Sequence, residues 1–190
     1  MTWLIIIVVL IVAFGPIMWL VPSKRDRRLA AMRQQARQEG LLVEMRRLPK
    51  VGAAPEERVT AGARVLEPVQ DVAVYQRPLQ RRLRNLPAWR LLRGGPGIEG
   101  PSGWAFEIGK KPHDKHMNAA LQALEPTFAR LPEDVLALEC EERMLGAYWL
   151  ERAPSGPAEV SVLADTLTSG ARALEALDAA LEPEPDEGKI

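Results

Sequence analysis

The chain opens on an apolar run that carries no charge: from Trp3 to Val21 only Gly15 and Pro16 are not plainly hydrophobic. Nineteen residues at about 1.5 Å each cover about 28 Å, close to the hydrocarbon thickness of a bilayer, so the run predicts one membrane-spanning helix, residues 1–22 forming the anchor. Polar residues then take over. Ser23 and Asp26 have the spacing of a capping box and predict a helix over 24–39, stopped by Gly40. Its Leu29, Met32 and Ala36 make only a narrow apolar stripe, so the expectation for 23–40 is a basic juxtamembrane spacer near the lipid surface rather than a core helix.

Beyond Gly40 the period changes. Leu41, Val43 and Met45 alternate with polar neighbours and predict a strand over 41–48; residues 49–70, with Pro49, Gly52, Pro55, Gly62 and Pro68, read as a long loop. Further strands are predicted over 71–77, 88–93 and 103–108, and a hairpin over 134–141 and 145–152. Two stretches show helical spacing instead. Met117, Leu121, Leu124 and Phe128 mark a helix from Asp114 to Arg130. Val160, Leu163, Leu167, Leu174, Leu177 and Leu181 mark another that starts at Ser155-Gly156-Pro157 and ends before Pro183. The predicted fold class is α+β: a mostly antiparallel sheet of about six strands covered by two amphipathic helices, spanning 41–181. The acidic, proline-containing stretch 182–190 is expected to be disordered.

Charge orients the molecule. No basic residue precedes the apolar run, and Trp19-Leu20-Val21-Pro22 offers no small-x-small cleavage pattern, so the run reads as a retained anchor rather than a cleaved signal. Lys24, Arg25, Arg27 and Arg28 follow it directly, which places the N-terminus outside and the domain in the cytoplasm. Trp3 and Trp19 sit where indole rings meet headgroups, and Pro16 predicts a kink in the span. The zero net charge conceals a division: Lys24 to Arg93 holds 17 Lys or Arg against 7 Asp or Glu, and Gly94 to Ile190 holds 8 against 18.

Candidate chemistry is sparse. Gly95-Pro96-Gly97-Ile98-Glu99-Gly100 has the letters of a dinucleotide fingerprint, but two prolines interrupt it and a strand pattern follows, which favours a hairpin loop. His113, Asp114 and His116 lack further ligands for a closed zinc site. Ser102 lacks the nucleophile-elbow pattern, and Cys140, the only cysteine, lies in an alternating strand where an inert thiol is expected. Neither catalysis nor a cofactor, metal or small-molecule ligand is expected. Arg77, Arg81, Arg82, Arg84, Arg90 and Arg93, with Tyr75 and Trp89, form the densest basic segment away from the anchor; Arg77, Arg81, Arg82, Arg84 and Arg90 are the candidate face for a partner or an anion.

Residues 3–28, Trp-Leu-Ile-Ile-Ile through Pro-Ser-Lys-Arg-Asp-Arg-Arg, resemble the start of the bacterial inner-membrane accessory subunits of preprotein translocase of the YajC type. That family continues with a Gly-Asp-x-Val-x-Thr segment, for which Arg58-Val59-Thr60-Ala61-Gly62 is the nearest counterpart, and this chain is longer. Cell-division anchors similar to ZipA share the plan of one helix and a cytoplasmic α+β domain but carry a Pro/Gln-rich linker absent here. The resemblance implies a non-enzymatic adaptor or accessory subunit of a bacterial inner-membrane assembly, concerned with protein translocation. Its partners would be the bilayer and a protein in the membrane or at its cytoplasmic face. The alternative expectation is an anchored module that binds anionic lipid or nucleic acid through its arginines, nucleic acid being the less favoured ligand.

Overall fold

The computed structural model describes Trp3 and residues 22–53, 68–95, 98–101, 103–107 and 115–181. The expected membrane span, with Pro16 and Trp19, lies outside these residues apart from Trp3, which is exposed. His113, Asp114, Ser102, most of the 49–70 loop and the 182–190 stretch also lie outside them. No helix among the described residues is long and apolar enough to cross a membrane.

In chain order the elements are α1 (Lys24–Gln38), β1 (Leu42–Pro49), β2 (Val69–Pro78), β3 (Trp89–Arg93), β4 (Ile98–Glu99), β5 (Trp104–Phe106), α2 (Met117–Ala123), α3 (Glu125–Arg130), β6 (Val135–Glu141), β7 (Met144–Trp149) and α4 (Pro157–Ala180). The strands make one antiparallel sheet in the order β1-β2-β7-β6-β3-β5-β4. The α+β class is therefore as expected, with a two-residue β4 added at one edge.

Strand alternation separates the two faces. Ala73 and Tyr75 of β2, Trp89 and Leu91 of β3, Leu138 and Cys140 of β6, and Leu145, Ala147 and Trp149 of β7 join one core with the helices. Val72, Val74, Leu92, Ala137 and Tyr148 point the other way and pack with Leu48 in a second, smaller cluster. Five successive residues of β2, Val72 to Gln76, are buried, because both faces of that strand are covered.

The helix at 24–38 begins as predicted. The Asp26 amide donates to Ser23 Oγ at 3.1 Å and the Ser23 amide to Asp26 Oδ2 at 3.1 Å. These Ser23 hydrogen bonds hold the Asp26 carboxyl below its ordinary range. It ends in a Schellman turn, with Gly40 at φ 74°, the Gly40 amide donating to Arg37 O at 3.1 Å and the Leu41 amide to Ala36 O at 2.8 Å. Its placement corrects the expectation of a spacer lying apart from the core. Met32 and Ala36 are fully buried among the residues of the main core, and Gln35 Nε2 donates to Ser161 Oγ of α4 at 3.1 Å. Two apolar residues suffice because Gln35, Arg28 and Arg33 reach polar partners on the domain while their stems cover apolar surface.

The helix predicted over 114–130 is two. Pro126 has no amide hydrogen for Gln122 O, so the chain turns at Leu124 and restarts, keeping Met117, Leu124 and Phe128 in the core. Both short helices pack against α4 at Gly170, where an added Cβ would stand 2.8 Å from Thr127 Oγ1 and 3.1 Å from methyl carbons of Leu124 and Leu145. The absent side chain sets how closely these helices approach.

Candidate functional site

The arginines expected to share a face do not. Arg77 follows Tyr75 onto the helix-covered face, where its Nη1 donates to Glu39 O at the end of α1 at 2.7 Å. Arg90 alternates with Trp89 and Leu91 and lies on the opposite face. Its Nε donates to Glu139 Oε1 at 2.8 Å, its Nη1 to Glu107 Oε2 at 3.0 Å, and its guanidinium covers the Tyr148 ring at 5.3 Å. Arg46 Nη1 reaches Glu139 Oε2 at 3.2 Å, and the Tyr148 hydroxyl donates to the same oxygen at 2.7 Å. Burial, with Glu139 alongside, pushes the Tyr148 hydroxyl up to about 12. This is a closed structural network in which Glu139 is matched by two cations.

At the end of the domain where α1 begins, Lys24, Arg25 and Arg27 are exposed, but Arg28 is turned inward. Its guanidinium donates to Arg152 O at 3.0 Å, Ser155 O at 2.7 Å and Glu151 O at 2.9 Å, tying α1 to the connection between β7 and α4. Glu151 itself is buried at a positive φ of 51°, a left-handed conformation that side chains other than glycine seldom adopt. Its carboxylate accepts the Tyr75 hydroxyl at 2.7 Å and lies 3.5 Å from Arg33 Nη2. Burial and that carboxylate drive the Tyr75 hydroxyl far above its ordinary value.

The remaining arginines gather at the opposite end of α4, in the loop from 79 to 88. Two carboxylates of the last turns of α4 hold the backbone of this loop. Glu175 Oε1 accepts the amides of Gln80 and Arg81, the second at 3.2 Å, and Asp178 Oδ1 accepts those of Arg84 at 3.0 Å and Asn85 at 2.7 Å. The turn between β6 and β7 holds it from the side, the Leu79 amide donating to Arg143 O at 2.9 Å and the Leu83 amide to Glu142 O at 2.8 Å. Leu83 and Leu86 are buried as anchors, while Arg81, Arg82, Arg84 and Arg143 are exposed. Arg82 pairs with Glu142 at 2.8 Å; Arg84 and Arg143 make no ion pair among the described residues.

The two charged halves of the sequence thus meet inside one molecule. Arg33–Glu151, Arg46–Glu139, Arg46–Glu141, Arg82–Glu142, Arg90–Glu107 and Arg90–Glu139 each join the basic half to the acidic half.

Other sequence candidates find structural places. Ile98–Glu99 pairs with β5, so the glycine-rich segment leads into a strand rather than into a helix N-terminus. Cys140 is buried in β6, and burial pushes its thiol up to about 12, far from a reactive thiolate. His116 stands at the N-cap position of α2. Among the described residues no group of His, Cys, Asp and Glu is arranged to hold a metal ion. A cavity of about 140 Å³ between α3 and α4 is lined by Pro126, Thr127, Arg130, Thr166 and Ser169, and the Thr166 hydroxyl is already bonded to Val162 O at 2.7 Å. No family model matches the chain, and no curated protein or solved structure matches it either.

Proposed function

We propose that this chain is a membrane-anchored, non-enzymatic adaptor, an accessory subunit of a bacterial inner-membrane assembly of the kind that assists protein translocation. Residues 3–21 cross the bilayer with the N-terminus outside, and the α+β domain stands on the cytoplasmic face. The observation that carries this reading is the construction of α1. Only Pro22 and Ser23 separate the apolar run from a helix that is built into the domain core by Met32, Ala36 and the three hydrogen bonds of Arg28. A domain held in this way keeps one attitude to the membrane, as a subunit docking against a fixed neighbour requires.

Crosslinking of the full chain in intact membranes, followed by mass spectrometry, tests the proposal. A stoichiometric protein partner recovered reproducibly is the expected result; self-crosslinks and lipid adducts alone would overturn it.

A further inference from the structure

We propose that the chain pairs with a second copy of itself through β1, whose open edge is its own complement. β1 stands first in the order of the sheet, and no strand lies beyond it among the described residues. It runs eight residues, Leu42–Pro49, in unbroken register with β2. The Lys50 amide donates to Pro68 O at 2.8 Å, so by the alternation of an antiparallel ladder Leu42, Glu44, Arg46 and Leu48 bond to β2. Val43, Met45 and Arg47 therefore turn their amides and carbonyls to the open edge. That edge is bounded at both ends, because the Leu41 amide is taken by Ala36 O at 2.8 Å and Pro49 has no amide hydrogen.

An open edge admits extended chains, and charged side chains on it reject most of them. Those of β1 select β1. A dyad that continues the sheet from one copy into the next sets residues of the same face opposite one another, so only every second register is available. A pair centred on Glu44 opposes two glutamates and sets Arg47 against Leu41, whose amide is taken. A pair centred on Arg46 opposes two arginines and sets Val43 against Pro49, which cannot donate. Centred on Met45, the strands put Glu44 opposite the partner's Arg46 and Val43 opposite the partner's Arg47, and every outward amide and carbonyl of Val43, Met45 and Arg47 is bonded. Within one copy Glu44 Oε2 accepts Arg46 Nε at 3.3 Å and Nη2 at 3.2 Å, while Arg46 Nη1 lies 3.2 Å from Glu139 and 3.8 Å from Glu141. Pairing closes Glu44 and Arg46 of the two copies into a ring of alternating charge. Arg47 keeps Asp71, at 3.5 Å, and lays its stem beside the partner's Val43. The dyad falls on Met45, which is 56% exposed and unbranched, a side chain able to adapt to its twin.

The test is disulfide crosslinking of the full chain in excess detergent under mild oxidation, with dimer read on a non-reducing gel. The native Cys140 is buried and gives the background. In the register centred on Met45 the two Met45 Cα atoms stand about 5.5 Å apart, within reach of a disulfide. The two Arg47 Cα atoms are offset by four residues, about 13 Å, and are out of reach. Met45→Cys is therefore expected to give about tenfold more disulfide-linked dimer than Arg47→Cys. Both positions are exposed, so neither change disturbs the fold. Adding Glu44→Arg to Met45→Cys sets two arginines against each other on both sides of the dyad and should lower the yield about tenfold. Arg46 keeps Glu139 and Glu141 in that chain, so the domain itself is unchanged. Equal yields from Met45→Cys and Arg47→Cys would overturn the proposal, as would a yield that Glu44→Arg does not move. Disulfides formed in intact membranes from Met45→Cys to other proteins, with none between copies, would overturn the choice of occupant. Every variant carries residues 1–22 unaltered, so these comparisons read β1 alone and stand apart from the search for a partner protein.

Discussion

The two ends of α4 use buried carboxylates in opposite ways. At its start, Glu151 takes its hydrogen bond from Tyr75 and its counter-charge from Arg33, while Arg28 donates to nearby carbonyls; two cations of α1 are thereby absorbed into the fold. At its end, Glu175 and Asp178 are satisfied by main-chain amides; Arg81 donates to Glu175 O, and Arg82 and Arg84 of the same loop are left exposed. A buried acid can neutralise a basic segment or display it, and which of the two occurs depends on whether side-chain or main-chain donors reach it.

Alkaline titration should break the first arrangement through Tyr75, together with the Tyr148–Glu139 network across the sheet. Tyr75, Tyr148 and Cys140 all have values raised by burial, to about 12 for Tyr148 and Cys140, from ordinary values of 10.0 and 9.0. A group whose value is raised in the folded state contributes fully below its unfolded value and loses that contribution as pH rises towards the folded one. Stability is therefore expected to hold to about pH 9 and to fall steeply between about pH 9 and 12, measured by denaturant midpoints across that window. A flat profile would contradict the burial described for these groups.

Single substitutions then grade the comparison. Glu151→Ala removes the Tyr75 acceptor and the Arg33 counter-charge, and should cost about 3 kcal/mol in denaturant unfolding. Asp178→Ala leaves the Arg84 and Asn85 amides without their acceptor; a loss of about 2 kcal/mol is expected, together with faster amide exchange at those two residues. Arg28→Ala gives up three charged hydrogen bonds, for about 1.5 kcal/mol. Arg84→Ala should change stability by less than about 0.5 kcal/mol. If Arg28→Ala and Arg84→Ala proved equal, the contrast between an absorbed and a displayed arginine would be lost.

Much of the scaffold was legible along the chain. The hairpin of β6 and β7 shows in the alternation of Leu138 and Cys140 with Glu139, and of Leu145, Ala147 and Trp149 with Gly146 and Tyr148. The helix caps at Ser23 and Gly40 follow from local chemistry, whereas the break at Leu124 was missed because the spacing of Met117, Leu121, Leu124 and Phe128 outweighed Pro126. The polar sites were not legible, because their partners lie far apart in sequence. Glu139, within the strand predicted over 134–141, meets Arg46 from 93 residues away, and Asp178 meets Arg84 from 94. The supposed arginine face failed on parity: Arg77 and Arg90 bound one basic run, yet alternation within their separate strands sends them to opposite sides of the sheet. The burial of α1 escaped because a helix with two core residues reads as solvated when long polar side chains supply the rest of its contacts.

Arg28 ties the first turn of α1 to the carbonyls of Glu151, Arg152 and Ser155 just ahead of α4, and Gln35 ties the far part of α1 to Ser161 of α4. The two helices therefore move as one body: a force applied at Lys24 is transmitted along α4 to the loop held by Asp178 about 30 Å away, with no change inside the domain itself.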